Sequence, residues 1–422
     1  MPSPLRICLV SPAHLANNPR LVKEATALQS AGYAVTVVFG RSVPGLDGAD
    51  ATLVRAHGLT ARPVDYTRRR GTLAAEALHR FARWRARLVR KPSFDVAARA
   101  HHRAARALAE AASSTPAELY IGHTPAGLAA AGLAARMHRS LLGFDAEDFH
   151  SGETKELLAR PSAQRTLASI EHALLPNCVH FTAASPLIAE AYASGYGVRK
   201  PVTVLNVFPL AMAPERPIAE PRTPGTPPRL YWFSQTIGPG RGLETFPQIL
   251  GRMRTTCDLF LRGSPVPGYL DRLRQQAAAA GYRGAIELLP RAAPDEMARL
   301  AAGYDLGLAL EESTPPNRDL CLTNKLFLYL LAGVPIVYSP TRAQCLFARD
   351  VGAAALEADL ARPDETARTL DDYFSDPARR SAARTEAWTL ARSRYHWDCE
   401  KCTLLSSVEA ALATRRGRPI PA

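Results

Sequence analysis

A proline-rich segment divides this chain into two halves and limits how it can fold. Residues 209–228 read PLAMAPERPIAEPRTPGTPP and hold seven prolines in twenty positions. Because proline fixes φ and has no backbone N–H, this segment forms neither a regular helix nor a central strand. The chain has 422 residues, more than one hydrophobic core usually supports. We therefore expect a linker at 209–228 between two domains.

Both halves alternate short apolar strands with helices, the pattern of a parallel α/β sheet. The first half opens with a strand at Arg6–Ser11, a helix at Arg20–Gln29 and a strand at Tyr33–Phe39. The alternation resumes after the linker at Arg229–Ser234, Thr245–Met253, Leu259–Gly263, Ile286–Leu288, Asp295–Ala302 and Leu306–Leu310. The pattern predicts two doubly wound, Rossmann-like domains at 1–208 and 229–393. The remaining segment, 394–422, begins with an amphipathic helical pattern at Arg394–Ala413.

One strand and one helix start place a carboxylate and a cation at the same edge of the second sheet. The apolar run Leu306–Leu310 ends at Glu311, and open α/β sheets bind ligands at the carboxyl ends of their strands. Thr323 or Asn324 caps the next helix, with Lys325 in its first turn. The free N–H groups and the positive dipole of a helix start attract an anion. This combination suits a phosphorylated sugar.

These residues resemble the donor-site segment of a known family. Glu311, Asn317, the run Asn-Lys-Leu-Phe at 324–327 and the run Ala-Gly-Val-Pro-Ile-Val at 332–337 are similar to retaining, metal-independent GT-B glycosyltransferases of the "group 1" (family 4-like) type. The resemblance implies two Rossmann-like domains facing a cleft, with the last helix crossing back to the N-terminal domain. It also implies that Glu311 contacts the transferred sugar, and that Asn317 and the helix start at 323–325 receive the donor. Where the family usually has an acid that holds the ribose, this chain has Leu328.

A glycine-rich turn follows the first strand of the second half. Gly238-Pro-Gly-Arg-Gly242 is compatible with a dinucleotide-binding loop, but the third glycine of that motif falls at Leu243 and Pro239 removes an N–H. A plain strand-to-helix turn is the second interpretation. We favour the third, which the resemblance implies: Arg241 lies where the family has a basic residue against the donor diphosphate, Gly240 lets the backbone approach it, and Gln235 lies at the site's edge.

The resemblance adds candidates elsewhere. A strand at Glu118–Gly122 delivers His123, where the family has a histidine that touches the donor sugar; the alternative is a capping histidine in a loop. The acids that follow the strand Leu141–Phe144, at Asp145-Ala-Glu-Asp148, either activate an acceptor hydroxyl or form a solvated loop. The nucleotide base is expected near Leu289–Arg291, which makes Arg291 a donor-binding candidate.

Metal chemistry finds little support in the sequence. No Asp-x-Asp follows a strand, and Asp371-Asp372 falls in a helical stretch that we expect to be solvated. Cys399 and Cys402 form a single C-x-x-C, and a zinc site needs further ligands at suitable spacing. The seven cysteines are scattered, as in a reducing compartment. We expect no metal and no cofactor other than a nucleotide-diphosphate sugar as donor substrate.

The net charge of +13 is concentrated in one segment. Arg68–Lys91 carries nine Arg or Lys against one Glu. On a helix, Leu73, Leu78, Phe81, Trp84, Leu88 and Val89 form a partial apolar stripe bordered by arginines, the profile of a helix lying on an anionic membrane. A basic helix packed on its own domain is the main alternative. Nucleic-acid binding is the least favoured, because no nucleic-acid module accompanies the segment.

The first hypothesis for function is a retaining, metal-independent glycosyltransferase acting on a carbohydrate, glycolipid or lipid-linked acceptor in cell-surface polysaccharide or glycolipid assembly. A sugar-nucleotide 2-epimerase on the same fold and a catalytically impaired GT-B-like binding protein are the alternatives. The start of the chain has no basic leader, and no apolar run is long enough to span a bilayer. We therefore expect a cytoplasmic protein, peripheral on the inner face of the membrane.

Overall fold

The computed structural model describes residues 3–66, 70–215 and 225–416. The chain divides into two compact units: a first unit of Met1–Val204 with Lys401–Ala422, and a second unit of Leu205–Glu400. The sequence had placed the boundary at 208. Residues after Val204 belong to the second unit because Leu205 N donates to Glu400 Oε2 (2.7 Å) and Trp397 N donates to Phe208 O (2.8 Å). Of the expected linker 209–228, residues 216–224 lie outside the described part.

The first unit is built on a seven-stranded sheet of order β3-β2-β1-β4-β5-β6-β7, with every paired strand parallel. The strands are β1 Arg6–Ser11, β2 Ala34–Arg41, β3 Thr60–Asp65, β4 Leu119–His123, β5 Leu141–Ala146, β6 Cys178–Ala183 and β7 Val202–Thr203. The helices are α1 Pro19–Ser30, α2 Asp47–His57, α3 Arg70–Leu88, α4 Phe94–His101, α5 Ala105–Ser113, α6 Thr124–His138, α7 Lys155–Leu158, α8 Pro161–Leu174 and α9 Pro186–Tyr196.

The second unit is built on a six-stranded parallel sheet of order β10-β9-β8-β11-β12-β13. The strands are β8 Arg229–Ile237, β9 Asp258–Pro265, β10 Ile286–Leu289, β11 Leu306–Ala309, β12 Ile336–Tyr338 and β13 Ala355–Glu357. The helices are α10 Phe246–Leu250, α11 Tyr269–Ala279, α12 Met297–Ala301, α13 Pro316–Leu320, α14 Asn324–Leu331, α15 Arg342–Val351, α16 Pro363–Ser375 and α17 Pro377–Ser393; α18, Trp397–Arg416, ends the described chain.

Helix α18 begins in the second unit and continues into the first. Its side chains Val408 and Leu412 are buried in the apolar core formed by β1, β2 and β4. Ser407, on the same helix, lies with its Oγ 3.0 Å from Nδ1 of the buried His180. The apolar side chains of 401–416 therefore complete the core of the first unit.

Two stretches differ from their sequence interpretation. The two prolines and Asn317 in 313–319 predict a loop from the sequence alone, but Pro316–Leu320 forms α13. Proline is favourable in the first turn of a helix, where its missing N–H costs nothing. Asp371 was expected to be solvated, yet it is buried and accepts the backbone N–H groups of Arg254 and Thr255 at 2.9 and 2.8 Å. Burial with two donors makes Asp371 a structural side chain.

Candidate functional site

A carboxylate surrounded by three cations lies beyond the carboxyl end of β11. Glu311 is buried, and its Oε1 lies 2.8 Å from Arg241 Nη1 and 3.7 Å from Lys325 Nζ. Its Oε2 lies 3.2 Å from Arg318 Nη1. We call Glu311, Arg241, Arg318 and Lys325 the carboxylate–cation cluster. Three cations against one carboxylate leave an excess of positive charge, which suits an anionic ligand.

Lys325 has an unusual environment for a lysine. Its side chain is buried in the first turn of α14, and its Nζ lies over the Trp232 ring, 5.2 Å from the centroid. Burial lowers the pKa of Lys325 to about 8; the attraction of Glu311 opposes that shift, and the repulsion of Arg241 adds to it. Lys325 therefore carries a positive charge at neutral pH, and an additional anion nearby would stabilise that charge.

The glycine-rich turn shapes one side of this cluster. Gly240 and Gly242 have φ values of 82° and 76°, which other residues rarely adopt. A Cβ on Gly242 would lie 2.7 Å from Leu360 Cδ1, so the turn also has no room for a side chain there. Arg318 donates to the carbonyl oxygen of Gly240. The turn that carries Arg241 is thus fastened to the helix that carries Arg318.

The start of α14 presents uncapped backbone. Thr323 is the N-cap residue, but its side chain accepts no hydrogen bond from the first turn. Asn324, the first residue of the helix, is exposed. The N–H groups of this turn and the positive end of the helix dipole lie beside Lys325, and both favour an anion.

The remaining donor-binding candidates lie outside the carboxylate–cation cluster. Asn317 is buried in α13, and its carbonyl oxygen accepts from Cys321 N at 2.8 Å. Gln235 is exposed within the irregular stretch of β8, and Arg291 is exposed after β10. The structure thus brings Arg241 and Lys325 into direct contact with Glu311, and Gly240 contacts Arg318 of the same cluster. In the described chain, no hydrogen bond or ion pair joins Gln235 or Arg291 to them.

Leu328 is part of the apolar core. Its side chain is buried in α14, between Phe327 and Tyr329, which are also buried. The residue that stands in place of the family's ribose-binding acid is therefore covered by other side chains.

In the first unit, His123 ends β4 inside a buried network of charges. Its Nε2 lies 2.8 Å from Glu24 Oε2, and its Nδ1 lies 3.4 Å from both Asp145 Oδ2 and Glu147 Oε1. Burial alone lowers the pKa of His123, but Glu24, Glu147 and Asp145 outweigh it and raise that pKa to about 10. His123 is therefore a buried cation with no exposed surface, and its contact with a sugar stays a prediction.

Asp145 forms the most extensive ion pair of this network. Its two carboxylate oxygens accept from Arg20 Nη2 (2.7 Å) and Nε (2.6 Å), and Thr182 Oγ1 donates to it at 2.5 Å. Burial opposes ionisation, yet Arg20 holds the pKa of Asp145 well below its usual value. The solvated-loop interpretation of Asp145 is therefore wrong for this residue, whereas Glu147 and Asp148 are partly exposed.

Sequence reasoning missed two members of these clusters, Arg318 and Glu24, and it did not predict that Arg20 pairs with Asp145. Arg318 follows Asn317 directly, but a segment interpreted as loop offered no helical spacing that would bring it to Glu311. Arg20 and Glu24 are four residues apart and both are buried on α1. Their spacing, which puts two charged groups on the same face of the helix as Leu21 and Leu28, was the available signal.

Two trios of side chains in the described residues bring metal-ligand atoms close together: Glu24 with His123 and Asp145, and His14 with Asp47 and Asp50. Asp145 is already bonded to Arg20, and Asp50 accepts from Ala16 N at 2.9 Å and contacts His14 Nδ1 at 2.6 Å. Both trios are thus occupied by internal contacts. Neither includes Cys399 or Cys402, whose side chains are exposed.

The basic segment forms α3, whose apolar side chains are exposed. Leu78, Phe81, Trp84 and Leu88 are 44%, 55%, 54% and 65% exposed, and the rings of Phe81 and Trp84 stack with centroids 5.7 Å apart. The opposite side of the helix packs Ala82 and Ala86 against α4. Arg68, Arg69 and the side chain of Leu73 lie outside what the structure describes. In the described chain, no helix is long and apolar enough to cross a bilayer.

Comparison with known proteins gives structural matches but no sequence match. No protein-family model and no curated protein matches this chain. Among solved structures, HepE (Alr3699) of Anabaena in complex with UDP-glucose has a TM-score of 0.69 at 14% identity, covering 96% of this chain and 100% of that one. Sucrose-phosphate synthase of Thermosynechococcus elongatus has a TM-score of 0.70 at 13% identity, with 97% and 100% covered.

A weaker match has a different activity in its name. A putative UDP-N-acetylglucosamine 2-epimerase of Listeria monocytogenes has a TM-score of 0.57 at 11% identity, covering 99% of both chains. Identities this low show the fold alone. The predicted fold class is confirmed: the chain is an α/β protein with the two Rossmann-like domains of the GT-B fold. Two further structures share this fold: a glycosyltransferase of Rickettsia africae (TM-score 0.66, 10% identity, 98% and 100% of the two chains covered) and the lipopolysaccharide outer core galactosyltransferase WaaB (TM-score 0.62, 10% identity, 96% and 99% covered).

Proposed function

We propose that this protein is a glycosyltransferase that moves a sugar from a nucleotide-diphosphate sugar to an acceptor hydroxyl. The observation that carries the proposal is the carboxylate–cation cluster, in which Arg241, Arg318 and Lys325 contact the buried Glu311. Sugar transfer leaves a nucleoside diphosphate, and fixed cations stabilise the negative charge that develops on it. HepE, which shares the fold, is bound to UDP-glucose in its crystal structure.

Each member of the cluster has a separate role in this proposal. Arg241 and Arg318 contact the diphosphate, as guanidinium groups do with two parallel hydrogen bonds. Lys325 and the start of α14 add positive potential beside it. Glu311 orients hydroxyl groups of the transferred sugar and holds the three cations in place before the donor arrives. Asn317, Thr323 and Asn324 line the same donor region, with Gln235 and Arg291 at its edges.

Metal independence follows from the same charges. A diphosphate leaving group needs compensation, and two arginines, one lysine and a helix start supply it without a divalent ion. We therefore expect turnover to survive chelation by EDTA. Retention of anomeric configuration is also proposed, with the leaving phosphate accepting the acceptor's proton on the face of attack, since no enzymic nucleophile is evident. Product stereochemistry, read by NMR from the anomeric coupling constant, tests it.

The acceptor is proposed to bind the first unit, and α3 is proposed to hold the protein on an anionic membrane. The exposed aromatic and aliphatic side chains of α3 enter the interface, while the flanking arginines contact lipid phosphates. This places the protein at a membrane surface during polysaccharide or glycolipid assembly.

The experiment that tests the donor site compares two arginines. Thermal shifts are recorded with a panel of UDP-, GDP-, ADP- and dTDP-sugars, and the stabilising donor is then used for turnover. Arg241→Ala should reduce turnover by roughly a hundredfold, the loss typical of a transition-state charge contact. Arg252→Ala is the matched control, since Arg252 is 40% exposed and Arg241 41%, and each contacts one carboxylate. Wild-type turnover in Arg241→Ala, or no stabilisation by any donor, would refute the proposal.

Two other functions have one observation each in their favour. The 2-epimerase match favours conversion of the donor alone, which would yield product without any acceptor. Leu328, buried where the family has an acid, favours a binding protein that has lost catalysis, and such a protein would bind a donor without consuming it. The same donor panel, followed by product analysis with and without acceptor, separates all three.

A further inference from the structure

The first unit contains a cavity bounded by α3, α4, α7 and α8, with five Arg or His residues among its thirteen lining residues. It has a volume of about 710 Å³, and its charged and titratable lining residues are His79, Arg83, Arg87, His101, Glu156 and Arg160. His79 fastens one wall, because its Nδ1 lies 2.7 Å from the carbonyl oxygen of Arg99 on α4. We call this the arginine cavity.

The charge of the arginine cavity comes from guanidinium groups. Burial, followed by electrostatic repulsion from protonated His102 and His150, lowers the pKa of His101 to about 4, so that ring is neutral at physiological pH. Arg83, Arg87 and Arg160 then face a single carboxylate, that of Glu156. Within the described chain, none of the three arginines forms an ion pair. Arg83, Arg87 and Arg160 are exposed, and guanidinium groups that line one cavity without carboxylate partners are suited to a phosphate.

The exposed apolar side of α3 borders this cavity. Arg87 lines the cavity, and Trp84 is exposed. Residues three apart are neighbours on a helix surface, so the apolar surface begins next to the guanidinium of Arg87. Of the eleven large apolar side chains that are exposed in the described residues, five lie between Leu78 and Val89, so this surface is the chain's main concentration of them. An apolar surface that adjoins a phosphate-binding cavity matches an amphiphile with a phosphate head.

A second cavity extends from the first toward the sheet edge. It has a volume of about 240 Å³, shares His101 and Leu157 with the arginine cavity, and is lined by Thr124, Glu147 and Asp148. Thr124 follows β4, and the two acids follow β5. A ligand that spans both cavities places its phosphate near the arginines and its next group near the two carboxylates.

We propose that the arginine cavity binds the phosphate of a membrane-resident lipid acceptor, whose hydrocarbon chain lies on the exposed apolar side of α3. The hydroxyl that accepts the sugar lies in the second cavity, near Glu147 and Asp148. The assignment of this lipid as acceptor rests on the proposed transferase function. The proposal that the cavity binds a lipid phosphate does not rest on that function.

The test measures binding to vesicles in the absence of any nucleotide sugar. The full chain is mixed with phosphatidylcholine vesicles that contain farnesyl phosphate, or with vesicles that contain phosphatidylglycerol at a matched surface potential. Arg87→Gln and Arg160→Gln remove one cavity charge each. Arg85→Gln is the matched control, because Arg85 is an exposed residue of the same helix that does not line the cavity.

The wild-type protein should bind farnesyl phosphate vesicles roughly tenfold more tightly, the value of one charge-assisted hydrogen bond. Arg87→Gln and Arg160→Gln should abolish this preference, and Arg85→Gln should keep it. Any of three results overturns the proposal. These are equal binding to both kinds of vesicle, a preference for farnesyl phosphate that survives both cavity variants, and an equal loss of that preference in Arg85→Gln. Displacement by inorganic phosphate at the same concentration also overturns it, since the cavity would then serve free phosphate. Because no donor is present, failure of the transferase proposal leaves this result unaffected.

Discussion

Lys325 offers a direct test of how the second unit balances stability against binding. Its ammonium group is buried 3.7 Å from Glu311 Oε1 and lies over Trp232. The free-energy cost of burying the ammonium group exceeds the stabilisation that Glu311 provides. The pKa of Lys325 is therefore lowered from 10.5 to about 8. Below pH 8 the folded protein therefore keeps a charge that is less stable there than in the unfolded chain.

The free-energy cost follows from the pKa change. A difference between 10.5 and about 8 corresponds to roughly 3 kcal/mol at any pH below 8. In Lys325→Met this cost disappears, a thioether contacts the Trp232 ring, and Glu311 retains Arg241 and Arg318 as partners. We expect the free energy of unfolding at neutral pH to rise by about 1–3 kcal/mol. Affinity for the donor should fall about tenfold, because one cation is lost.

The lowered pKa of Lys325 also predicts whether stability rises or falls with pH. The folded pKa is the lower one, so the unfolded state binds the extra proton between pH 8 and 10.5, and wild-type stability rises across that window. The stability advantage of Lys325→Met should therefore be constant below pH 8 and shrink above it. Urea unfolding across this range measures it, and calorimetric titration with the donor measures affinity.

Lys200→Met is the matched control. Lys200 is 55% exposed and pairs with Glu190 at the surface, so its replacement should change stability by less than about 1 kcal/mol. A Lys325→Met variant that is less stable than the wild type at neutral pH, or an advantage that does not change with pH, would show that the ion pair with Glu311 outweighs burial.

Three further predictions concern separate parts of the chain. Asp145→Asn should lower the free energy of unfolding by about 3–5 kcal/mol, because Arg20 is left as a buried charge without its partner; urea unfolding measures this. Gly242→Ala should cost about 1–3 kcal/mol and weaken donor binding, since its φ of 76° and the nearby Leu360 side chain exclude a Cβ. Phe81→Ser should weaken binding to anionic vesicles in flotation assays without changing the melting temperature, because the ring is exposed.

Each of the three has its own control. Glu190→Gln removes an exposed carboxylate paired with Lys200 and should cost less than about 1 kcal/mol. Gly48→Ala lies in a helix with open space around the new Cβ and should not destabilise. Met137→Ser removes an exposed apolar side chain from α6, so equal loss of vesicle binding there would contradict a specific role for α3.

Local patterns identified the strands because buried strands are short, apolar and bounded by turn residues. Arg6–Ser11 is a strand with the predicted bounds, and β11 begins at the predicted Leu306. Helices in the second half were less well defined: the predicted helix Thr245–Met253 is only Phe246–Leu250. Strand ends also located the candidate site, since parallel strands deliver Glu311 to a known edge and a helix start follows with Lys325.

Tertiary contacts decided what the sequence pattern could not show. Arg318 joins Glu311 only because Pro316–Leu320 folds into a helix fastened to the glycine turn. Asp145 becomes a buried partner of Arg20 across 125 residues of chain, a pairing without any local signal. The arginine cavity likewise draws on α3, α4 and α8, which are separate in sequence.

The sequence by itself determined two Rossmann-like domains, an acid and a cation at one sheet edge, and a basic apolar helix, because hydrophobic spacing and turn residues act over a few positions. Only the tertiary structure decided which charges meet, how deeply Lys325 is buried and that α3 keeps its apolar side exposed. Burial and long-range ion pairing depend on the packing of distant elements, and a local pattern does not contain that information.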